Sequence, residues 1–432
     1  MGSTTDPRLR SWIPVESGSH FSIQNLPYGV FRPRPDEAPR VGVAIGDFVL
    51  DLGALEERGT FAGPALAGQQ VFNRPSLNAF MTLGRPAWRE ARETISRLLR
   101  EDAPALRGDV SLRDDAALRA RALVSQSHVE LLLPVEIGDY TDFYSSREHA
   151  TNVGEMFRGR DNALMPNWLH LPVAYHGRSS SVVVSGTDFH RPQGQAKRDA
   201  DPAPTFGPSR WLDFELEMGV VIGQGNGLGA PIPVERAAEH VFGLVLVNDW
   251  SARDIQRWEY QPLGPFLAKN FLTSVSPWVV TLNALEPFRA AGPAQDPLPL
   301  PYLQYRGAQA YDIHLEVWLQ GEKMAAPHRV SATNFKYLYW NLCQHIAHHT
   351  ANGCNLRTGD LLASGTISGP EPGQRGSLLE LAWQGKNPVA FSNGETRVSL
   401  LDGDRVTMTG WCQADGYRVG FGDVTGRVLP AR

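Results

Sequence analysis

The stretch that decides the fold runs Asp213-Phe214-Glu215-Leu216-Glu217-Met218-Gly219-Val220-Val221-Ile222. Its first half alternates acidic and apolar residues, and its second half is apolar. This period of two predicts a β-strand with Asp213, Glu215 and Glu217 on one face. Neighbouring carboxylates on one face repel each other unless solvent or a cation separates them. The segment is therefore either the solvated face of an edge strand or part of a cation site.

Short strand-like runs separated by glycine and proline recur on the C-terminal side of the chain. Glycine (42) and proline (32) make up about 17% of the 432 residues, against roughly 12% in average proteins. This pattern predicts a large antiparallel sandwich or roll. The predicted strands are 181–185, 214–222, 242–247, 278–280, 314–319, 378–383, 398–401 and 405–409. One helix, from about Asn334 to Thr350, interrupts them because its apolar residues have helical spacing.

The N-terminal third predicts a small β unit followed by helices. Strand-like runs lie at 21–23, 40–45 and 48–50, and Gly46-Asp47 between the last two predicts a hairpin. Apolar spacing predicts a helix over 87–100, and the alanine-rich stretch from 100 to 123 also favours helix. We therefore expect two domains, 1–134 and 135–432.

Composition and charge exclude several classes of function. The 41 basic and 46 acidic residues give a net charge of −5, which argues against nucleic-acid binding. No apolar segment approaches the ~18 residues that a membrane span needs, and the N-terminus lacks the apolar core of a signal peptide. Three scattered cysteines suit a reducing compartment. We expect a cytoplasmic protein without membrane or nucleic-acid partners.

A second polar segment, Asn248–Asp254, follows the apolar run 242–247, so Asp249 should lie where a strand ends. Ser251 and Asp254 resemble a helix capping box. A helix starting there would place Arg253, Gln256 and Tyr260 on one face. These side chains could form a recognition surface, or the segment could be an ordinary surface helix.

Further candidates lie at 139–149 and in the last third of the chain. His149 could act as a base near neutral pH or be an ordinary core or surface histidine. Arg158 could bind a carboxylate. The loop 364–369, which contains Thr366, could be only a turn or could approach a ligand closely, because glycines flank its hydroxyls. Glu380 follows in a predicted strand.

The histidines of the predicted helix near residue 345 offer a competing metal site. His345, His348 and His349 have the spacing of one helix face. The segment lacks the glutamate of an H-E-x-x-H zinc motif, so we interpret it as a helix surface.

Several segments together resemble the fumarylacetoacetase family. The resemblance is dense from about Ile137 to the end and weaker before it. It rests on Asp139-Tyr-Thr-Asp-Phe-Tyr-Ser-Ser-Arg, His149-Ala-Thr-Asn-Val-Gly, Pro166-Asn-Trp-Leu-His-Leu-Pro, Tyr175-His-Gly-Arg, Asp213-Phe-Glu-Leu-Glu-Met, Asn248-Asp-Trp-Ser-Ala-Arg-Asp-Ile-Gln and Gly359-Asp-Leu-Leu-Ala-Ser-Gly-Thr-Ile-Ser-Gly. It implies a mainly β protein, with a small Src-homology-3-like β-barrel domain before a large β-roll domain, assembled as a homodimer.

The resemblance also implies a role for individual residues. The residues that match calcium ligands are Asp142, Glu215, Glu217 and Asp249, and those that match a magnesium site are Asp249, Lys269 and Thr273. His149 matches the general base, Glu380 its orienting acid, and Arg253, Gln256 and Lys269 the oxyanion-stabilising set. The matches to substrate contacts are Tyr144, Arg158, Tyr175, Gln256, Tyr260 and Thr366. Leu272 departs from the family pattern, in which glycine or alanine is common.

The implied activity is hydrolysis of a carbon–carbon bond in 4-fumarylacetoacetate, giving fumarate and acetoacetate, at the end of tyrosine and phenylalanine catabolism. An all-oxygen ligand set suits Ca²⁺ or Mg²⁺. The alternatives are another enzyme of the same scaffold, such as an acylpyruvate hydrolase or oxaloacetate decarboxylase, and, more remotely, a calcium-dependent binding module. Turnover would distinguish either enzyme from the binding module.

Overall fold

A five-stranded antiparallel sheet forms the centre of the N-terminal part. The structure is a computed structural model that describes residues 4–102 and 112–432. The sheet has the order β4-β3-β2-β1-β5, with β1 (Tyr28–Arg32), β2 (Arg40–Ile45), β3 (Phe48–Asp51), β4 (Leu123–Ser125) and β5 (Glu130–Leu132). The β2–β3 hairpin confirms the predicted turn. Gly46 has a φ of 51° there, a conformation that glycine adopts without strain.

The chain between β3 and β4 forms helices. They are α1 (Leu52–Glu57), α2 (Asn78–Thr82), α3 (Arg85–Leu99) and α4 (Ala116–Ala122). Helix α3 confirms the helix predicted at 87–100. The predicted helical stretch 100–123 contributes only α4 to the described residues, and its segment 103–111 lies outside them. The predicted strand 21–23 is wrong, because Phe21 makes only a single bridge, to Val419.

The C-terminal part contains most of the strands. In chain order they are β6 (Tyr140–Phe143), β7 (Ala174–His176), β8 (Val182–Val184), β9 (Phe189–His190), β10 (Gln193–Ala196), β11 (Thr205–Pro208), β12 (Leu212–Asp213), β13 (Leu216–Ile222), β14 (Val241–Asp249), β15 (Ser251–Ala252), β16 (Thr273–Val275), β17 (Val280–Thr281), β18 (Arg289–Ala290), β19 (Ala310–Tyr311), β20 (His314–Gln320), β21 (His328–Asn334), β22 (Leu361–Ala363), β23 (Val389–Ala390), β24 (Thr396–Arg397), β25 (Arg405–Ala414) and β26 (Tyr417–Leu429). The helices are α5 (Arg147–Arg158), α6 (Arg253–Glu259), α7 (Leu282–Leu285), α8 (Leu342–Thr350) and α9 (Leu378–Leu381).

Two curved sheets pack face to face and enclose the main core. The larger has eight strands in the order β7-β6-β22-β13-β14-β16-β8, with β17 also paired to β14. The smaller has the order β21-β20-β25-β26-β9. Leu216, Met218 and Val220 project from β13 into the same core as Leu315 of β20 and Met408 of β25. A mainly β protein with a small N-terminal sheet and a large C-terminal roll confirms the predicted fold class.

The opposite face of the eight-stranded sheet carries the N-terminal part. Val221, Val247 and Leu361 on this face belong to one core with Leu50 and Phe80 of the N-terminal part. Each of Tyr28 and Val279 also donates its backbone N–H to the other's carbonyl. Because the two parts share a core, the domain boundary between residues 134 and 135 stays a prediction.

Several C-terminal elements differ from the expectation. Helix α8 begins at Leu342 rather than near Asn334, because Asn341 caps it with Gln344 in a capping box. The predicted strand 378–383 is wrong, since α9 forms there. The predicted strand 398–401 is also wrong, because only Leu400 makes a bridge. At 278–280 only Val280 belongs to a strand.

The histidines of α8 have separate partners. His345 is 1% exposed, so the prediction of a surface position is wrong for it. Its Nε2 lies 2.6 Å from Ser145 Oγ. His349 pairs with Thr141 and His348 with Tyr302. Within residues 4–102 and 112–432, no helix combines the length and apolar content that crossing a membrane requires.

Candidate active site

Four carboxylates meet at one end of the face that the N-terminal part covers. Asp142, Glu215, Glu217 and Asp249 each offer an oxygen within 4.8 Å of the others, and all four are buried. Glu217 points to the same face as Val221 because residues two apart on a strand share a face. Neighbouring strands bring Asp142 and Asp249 beside it. The acidic face predicted for residues 213–217 is thus buried rather than solvated.

Two cations and two hydroxyls contact this acidic cluster. Lys269 Nζ lies 2.7 Å from both Glu215 Oε2 and Asp249 Oδ2. Arg253 Nη1 lies 2.6 Å from Glu215 Oε1. Thr273 Oγ1 donates to Asp249 Oδ1 at 3.0 Å, and the Tyr175 hydroxyl donates to Asp249 Oδ2 at 3.0 Å.

Two oxygens of the acidic cluster are not matched by these cations and hydroxyls. Asp142 Oδ1 and Glu217 Oε1 are buried and have no hydrogen-bond partner among residues 4–102 and 112–432. Burial and neighbouring carboxylates raise the pKa of both groups above the usual range. The pKa of Glu215 is lowered, because Lys269 and Arg253 outweigh the effect of burial. Two orphaned oxygens in an all-oxygen cluster with excess negative charge fit a divalent hard cation.

A histidine–carboxylate pair lies next to the acidic cluster. His149 Nδ1 is 2.7 Å from Glu380 Oε2, and both side chains are almost fully buried. His149 is on α5, whose N-terminus is capped by Ser146. The Glu380 carboxylate also accepts from Asn152 Nδ2, Ser368 Oγ and Ser377 Oγ at 2.8–2.9 Å. Burial alone would raise the pKa of Glu380, but His149, Asn152 and Ser377 outweigh it, so the pKa of this carboxyl is lowered.

Glu380 reaches this position from a helix, not from the predicted strand. Ser377 caps α9 by accepting from Glu380 N. The sequence carries a signal for this helix, since Ser377-x-x-Glu380 has the spacing of a capping box. The contacts of Asn152 and Ser368 were missed because no spacing rule connects either position with Glu380.

The glycine-containing loop 364–369 connects the two groups. Gly365 N donates to Glu217 Oε2 at 3.0 Å. At Gly365 φ is 76°, and a Cβ there would lie 2.2 Å from Phe143 O, so this close approach needs glycine. Thr366 Oγ1 is buried without a partner. The Tyr144 ring meets the His149 ring edge-on at 5.2 Å.

Comparison with family models identifies the family of this chain. The family model described as "Fumarylacetoacetate (FAA) hydrolase C-terminal" matches residues 139–429, and "Fumarylacetoacetase N-terminal" matches residues 24–134. The chain belongs to the fumarylacetoacetase family. The predicted membership and the predicted class of enzyme, a hydrolase, are therefore confirmed.

Curated fumarylacetoacetases match over almost the full chain. Those of Bos taurus and Homo sapiens are each 58% identical over 422 residues, covering 98% of this chain and 99% of the relative. That of Arabidopsis thaliana is 55% identical over 423 residues with the same coverage. The family is therefore shown along both the N-terminal and the C-terminal part, and the other enzymes of the scaffold are not favoured.

Solved structures support the fold. A fumarylacetoacetate hydrolase from Exiguobacterium antarcticum has a TM-score of 0.51 at 18% identity and covers 94% of this chain and 100% of its own. A putative HpcE protein from Mycobacterium smegmatis has a TM-score of 0.52 at 18% identity with the same coverage.

Other residues predicted from the fumarylacetoacetase pattern lie farther from the acidic cluster. Arg158 is exposed, and its guanidinium donates to the carbonyls of Asn162 and Ala163 at 3.1 and 2.7 Å. Gln256 Oε1 accepts from Arg253 Nη1 at 3.1 Å. Tyr260, just after α6, is 40% exposed.

The start of α6 differs from the prediction. The proposed Ser251–Asp254 capping box is wrong, because Ser251 belongs to β15 and α6 has no side-chain cap. Asp254 instead accepts from Ser209 Oγ and Arg210 N. Leu272, the departure from the family pattern, is buried in the main core next to Thr273.

Proposed function

We propose that the acidic cluster and the His149–Glu380 pair form the active site for hydrolysis of 4-fumarylacetoacetate to fumarate and acetoacetate. This reaction is the last step of tyrosine and phenylalanine catabolism. The observation that carries the proposal is the adjacency of the two groups. Glu215 forms a backbone bridge with Ser377, whose hydroxyl donates to Glu380 at 2.8 Å, and Glu380 contacts His149. This adjacency supports a base beside a cation-binding cluster.

The acidic cluster suits Ca²⁺ or Mg²⁺ because its donors are oxygens. Asp142, Glu215, Glu217 and Asp249 would hold calcium, while Asp249 and Thr273 would serve a magnesium site. Lys269 has no lone pair for a metal, so its part is to orient Glu215 and Asp249. A bound divalent cation supplies charge that polarises a carbonyl group of the substrate.

The protein's own side chains supply the proton transfers. His149 Nε2 takes a proton from water, whose oxygen bonds to the electrophilic carbonyl carbon. Glu380 accepts the Nδ1–H hydrogen bond and stabilises the imidazolium, as the acid of a catalytic triad does. The carbon–carbon bond then breaks with its electron pair on the acetoacetate side. Arg253 and Lys269 stabilise that negative charge until the carbon takes up the proton that His149 removed from water.

Substrate contacts are proposed for Tyr144, Tyr175, Gln256, Tyr260, Thr366 and Arg158. Thr366 is supported by its buried hydroxyl without a partner. Tyr175 is supported by its hydrogen bond to Asp249. Arg158 has the weakest support because its guanidinium already binds two backbone carbonyls.

A hydrolysis assay tests the proposal directly. Purified protein should consume 4-fumarylacetoacetate and release fumarate and acetoacetate in equal amounts. Activity should disappear after chelation and return when Ca²⁺ or Mg²⁺ is added separately. Acylpyruvate and oxaloacetate serve as comparison substrates. Faster turnover of either, or full activity in thoroughly demetallated protein, would contradict the proposal.

We also propose a cytoplasmic homodimer. Free thiols at all three cysteines support a reducing compartment. Large apolar side chains are exposed just after α6, including Leu263 at 95% and Phe266 at 67%, and exposed apolar groups often mark interfaces. Light scattering of the purified protein should give twice the chain mass of 47.6 kDa. A monomeric mass would refute the dimer without affecting the proposed chemistry.

A further inference from the structure

Asp213 is a buried carboxylate that the proposed chemistry leaves without a role. It lies on the acidic side of the 213–217 segment, yet it is not part of the acidic cluster. It is 0% exposed. A buried carboxylate is costly unless its oxygens are matched by donors or a cation.

One set of Asp213 contacts is to Arg253. Arg253 Nε donates to Asp213 Oδ2 at 2.9 Å, while Nη1 of the same guanidinium contacts Glu215 and Gln256. Two carboxylates therefore hold the guanidinium from two sides. Asp213 contacts the guanidinium at Nε, and Glu215, a member of the acidic cluster, contacts it at Nη1.

The other set of contacts is to α9, the helix that carries Glu380. Leu378 N donates to Asp213 Oδ1 at 2.8 Å, and Leu379 N donates to Oδ2 at 3.0 Å. Phe214 N adds a third backbone donor at 2.8 Å. The N–H groups in the first turn of a helix have no partners within the helix, so this carboxylate fixes where α9 begins.

We infer that Asp213 is a positioning residue that holds Arg253 and the helix of Glu380 in one fixed relation. It is not one of the four carboxylates of the acidic cluster, and its oxygens accept from Arg253 and from the backbone of Phe214, Leu378 and Leu379. Its carboxylate binds both Arg253, the proposed stabiliser of negative charge, and the first turn of α9, which carries Glu380. The inference rests on the proposed function, because Asp213 acts through Arg253 and Glu380.

Asparagine cannot replace Asp213 in this role. Each carboxylate oxygen accepts from two donors, Oδ1 from Phe214 and Leu378 and Oδ2 from Leu379 and Arg253. In either orientation an asparagine would turn its NH₂ group toward two N–H donors. Arg253 or α9 must then move, although the side chain keeps its size.

The test is Asp213→Asn, with kcat, KM and calcium affinity measured on the same preparation. Loss of a partner that orients a metal-site residue typically costs about 10–100-fold, so kcat should fall by that amount. KM and calcium affinity should change much less, since Arg253 works on charge that develops in the transition state. A kcat that stays near the wild-type value would overturn the inference.

Asp404 offers a matched control. It is also buried, and it accepts from Arg397 Nε and Nη2 at 2.9 Å and from Leu401 N at 2.8 Å. Asp404→Asn creates a comparable mismatch beside the smaller sheet, because in either orientation its NH₂ group faces at least one N–H donor. It should lower the melting temperature but keep kcat. If the two variants lose kcat equally, the effect of Asp213 is general destabilisation and the inference is wrong.

A double-variant cycle separates positioning from structure. If Asp213 acts through Arg253, Asp213→Asn should cost little further kcat in an Arg253→Lys background. Losses that multiply would overturn the inference.

If Asp213→Asn is insoluble, Asp213→Glu, which keeps the charge, takes its place. Recovery of both variants only as unfolded protein would make Asp213 a folding determinant instead. Failure of the proposed function would differ, because the wild-type protein itself would not turn over the substrate.

Discussion

The buried carboxylate of Glu380 and the buried acidic cluster lie side by side in this protein, but their negative charge is balanced in different ways. Glu380 receives hydrogen bonds from His149, Asn152, Ser368 and Ser377, so the protein alone satisfies its charge. The acidic cluster of Asp142, Glu215, Glu217 and Asp249 keeps two orphaned oxygens.

The surroundings of Glu380 and of the acidic cluster are therefore preorganised in different ways. Around Glu380 the geometry is fixed by the fold, as the proposed proton transfer through His149 would require. Around the acidic cluster the fold assembles four carboxylates whose mutual repulsion the proposed cation would remove. Variants in the two regions should therefore fail in different ways.

The largest effect is expected from Glu215→Gln combined with Glu217→Gln. Two charged ligands are lost while size is kept, so bound metal and turnover should both disappear. Metal analysis and the hydrolysis assay on one sample check this. Asp360→Asn removes a different buried carboxylate and serves as the control. Retained turnover in the double variant would show that the acidic cluster is not the metal site.

His149→Asn should lose turnover but keep bound metal. Loss of a general base typically costs about 10²–10⁴-fold in rate, while calcium should still bind because His149 is outside the acidic cluster. Turnover and calcium occupancy are measured together. Near-native turnover would eliminate His149 as the base, and loss of the metal would make it a ligand or structural support.

A smaller effect concerns stability without metal. The pKa of Glu217 is raised above its usual value by burial and by Asp142. A raised pKa means that the folded state binds the proton more tightly, so charging this group costs stability as pH rises above about 4.3. In chelator, Glu217→Gln should therefore melt higher than wild type, by an amount that grows with pH.

Added calcium should reverse this order, because wild type binds it better. Thermal melts in chelator and in calcium across a pH series provide the measurement. A constant difference between the two proteins at every pH would mean that Glu217 does not experience the repulsion inferred for the acidic cluster.

The smallest effect is expected from Arg158→Lys. If the guanidinium reads a carboxylate of the substrate, KM should rise with little change in kcat, because lysine cannot form the bidentate pair. If it only binds the carbonyls of Asn162 and Ala163, the melting temperature should fall and KM should not change. Kinetics and melting on the same variant distinguish these roles.

Sequence patterns predicted well the candidate site residues that lie on strands. Alternation along 213–218 placed Glu215 and Glu217 on one face, and the apolar run before Asp249 located the end of β14. Both inferences rest on the period of a strand, which is local and survives packing.

The parts built from loops and short helices were harder to predict. Leu378–Trp383 is a short apolar run, and such a run cannot be assigned to strand or helix by periodicity alone. Three partners of Glu380, at 149, 152 and 368, are brought to it by the tertiary fold and not by local spacing. Arg158 was assigned by resemblance, and its contacts with Asn162 and Ala163 could not be read from spacing.

The shared face of the eight-stranded sheet limits how this chain can be shortened. Val221, Val247 and Leu361 pack under the N-terminal part on the face that carries the acidic cluster farther along its strands. A fragment of residues 135–432 would retain the residues assigned to the reaction but expose this apolar strip to water. Such a strip favours aggregation. The first third of the chain thus covers the apolar strip beside the proposed active site, and its described residues supply none of the four carboxylates of the acidic cluster.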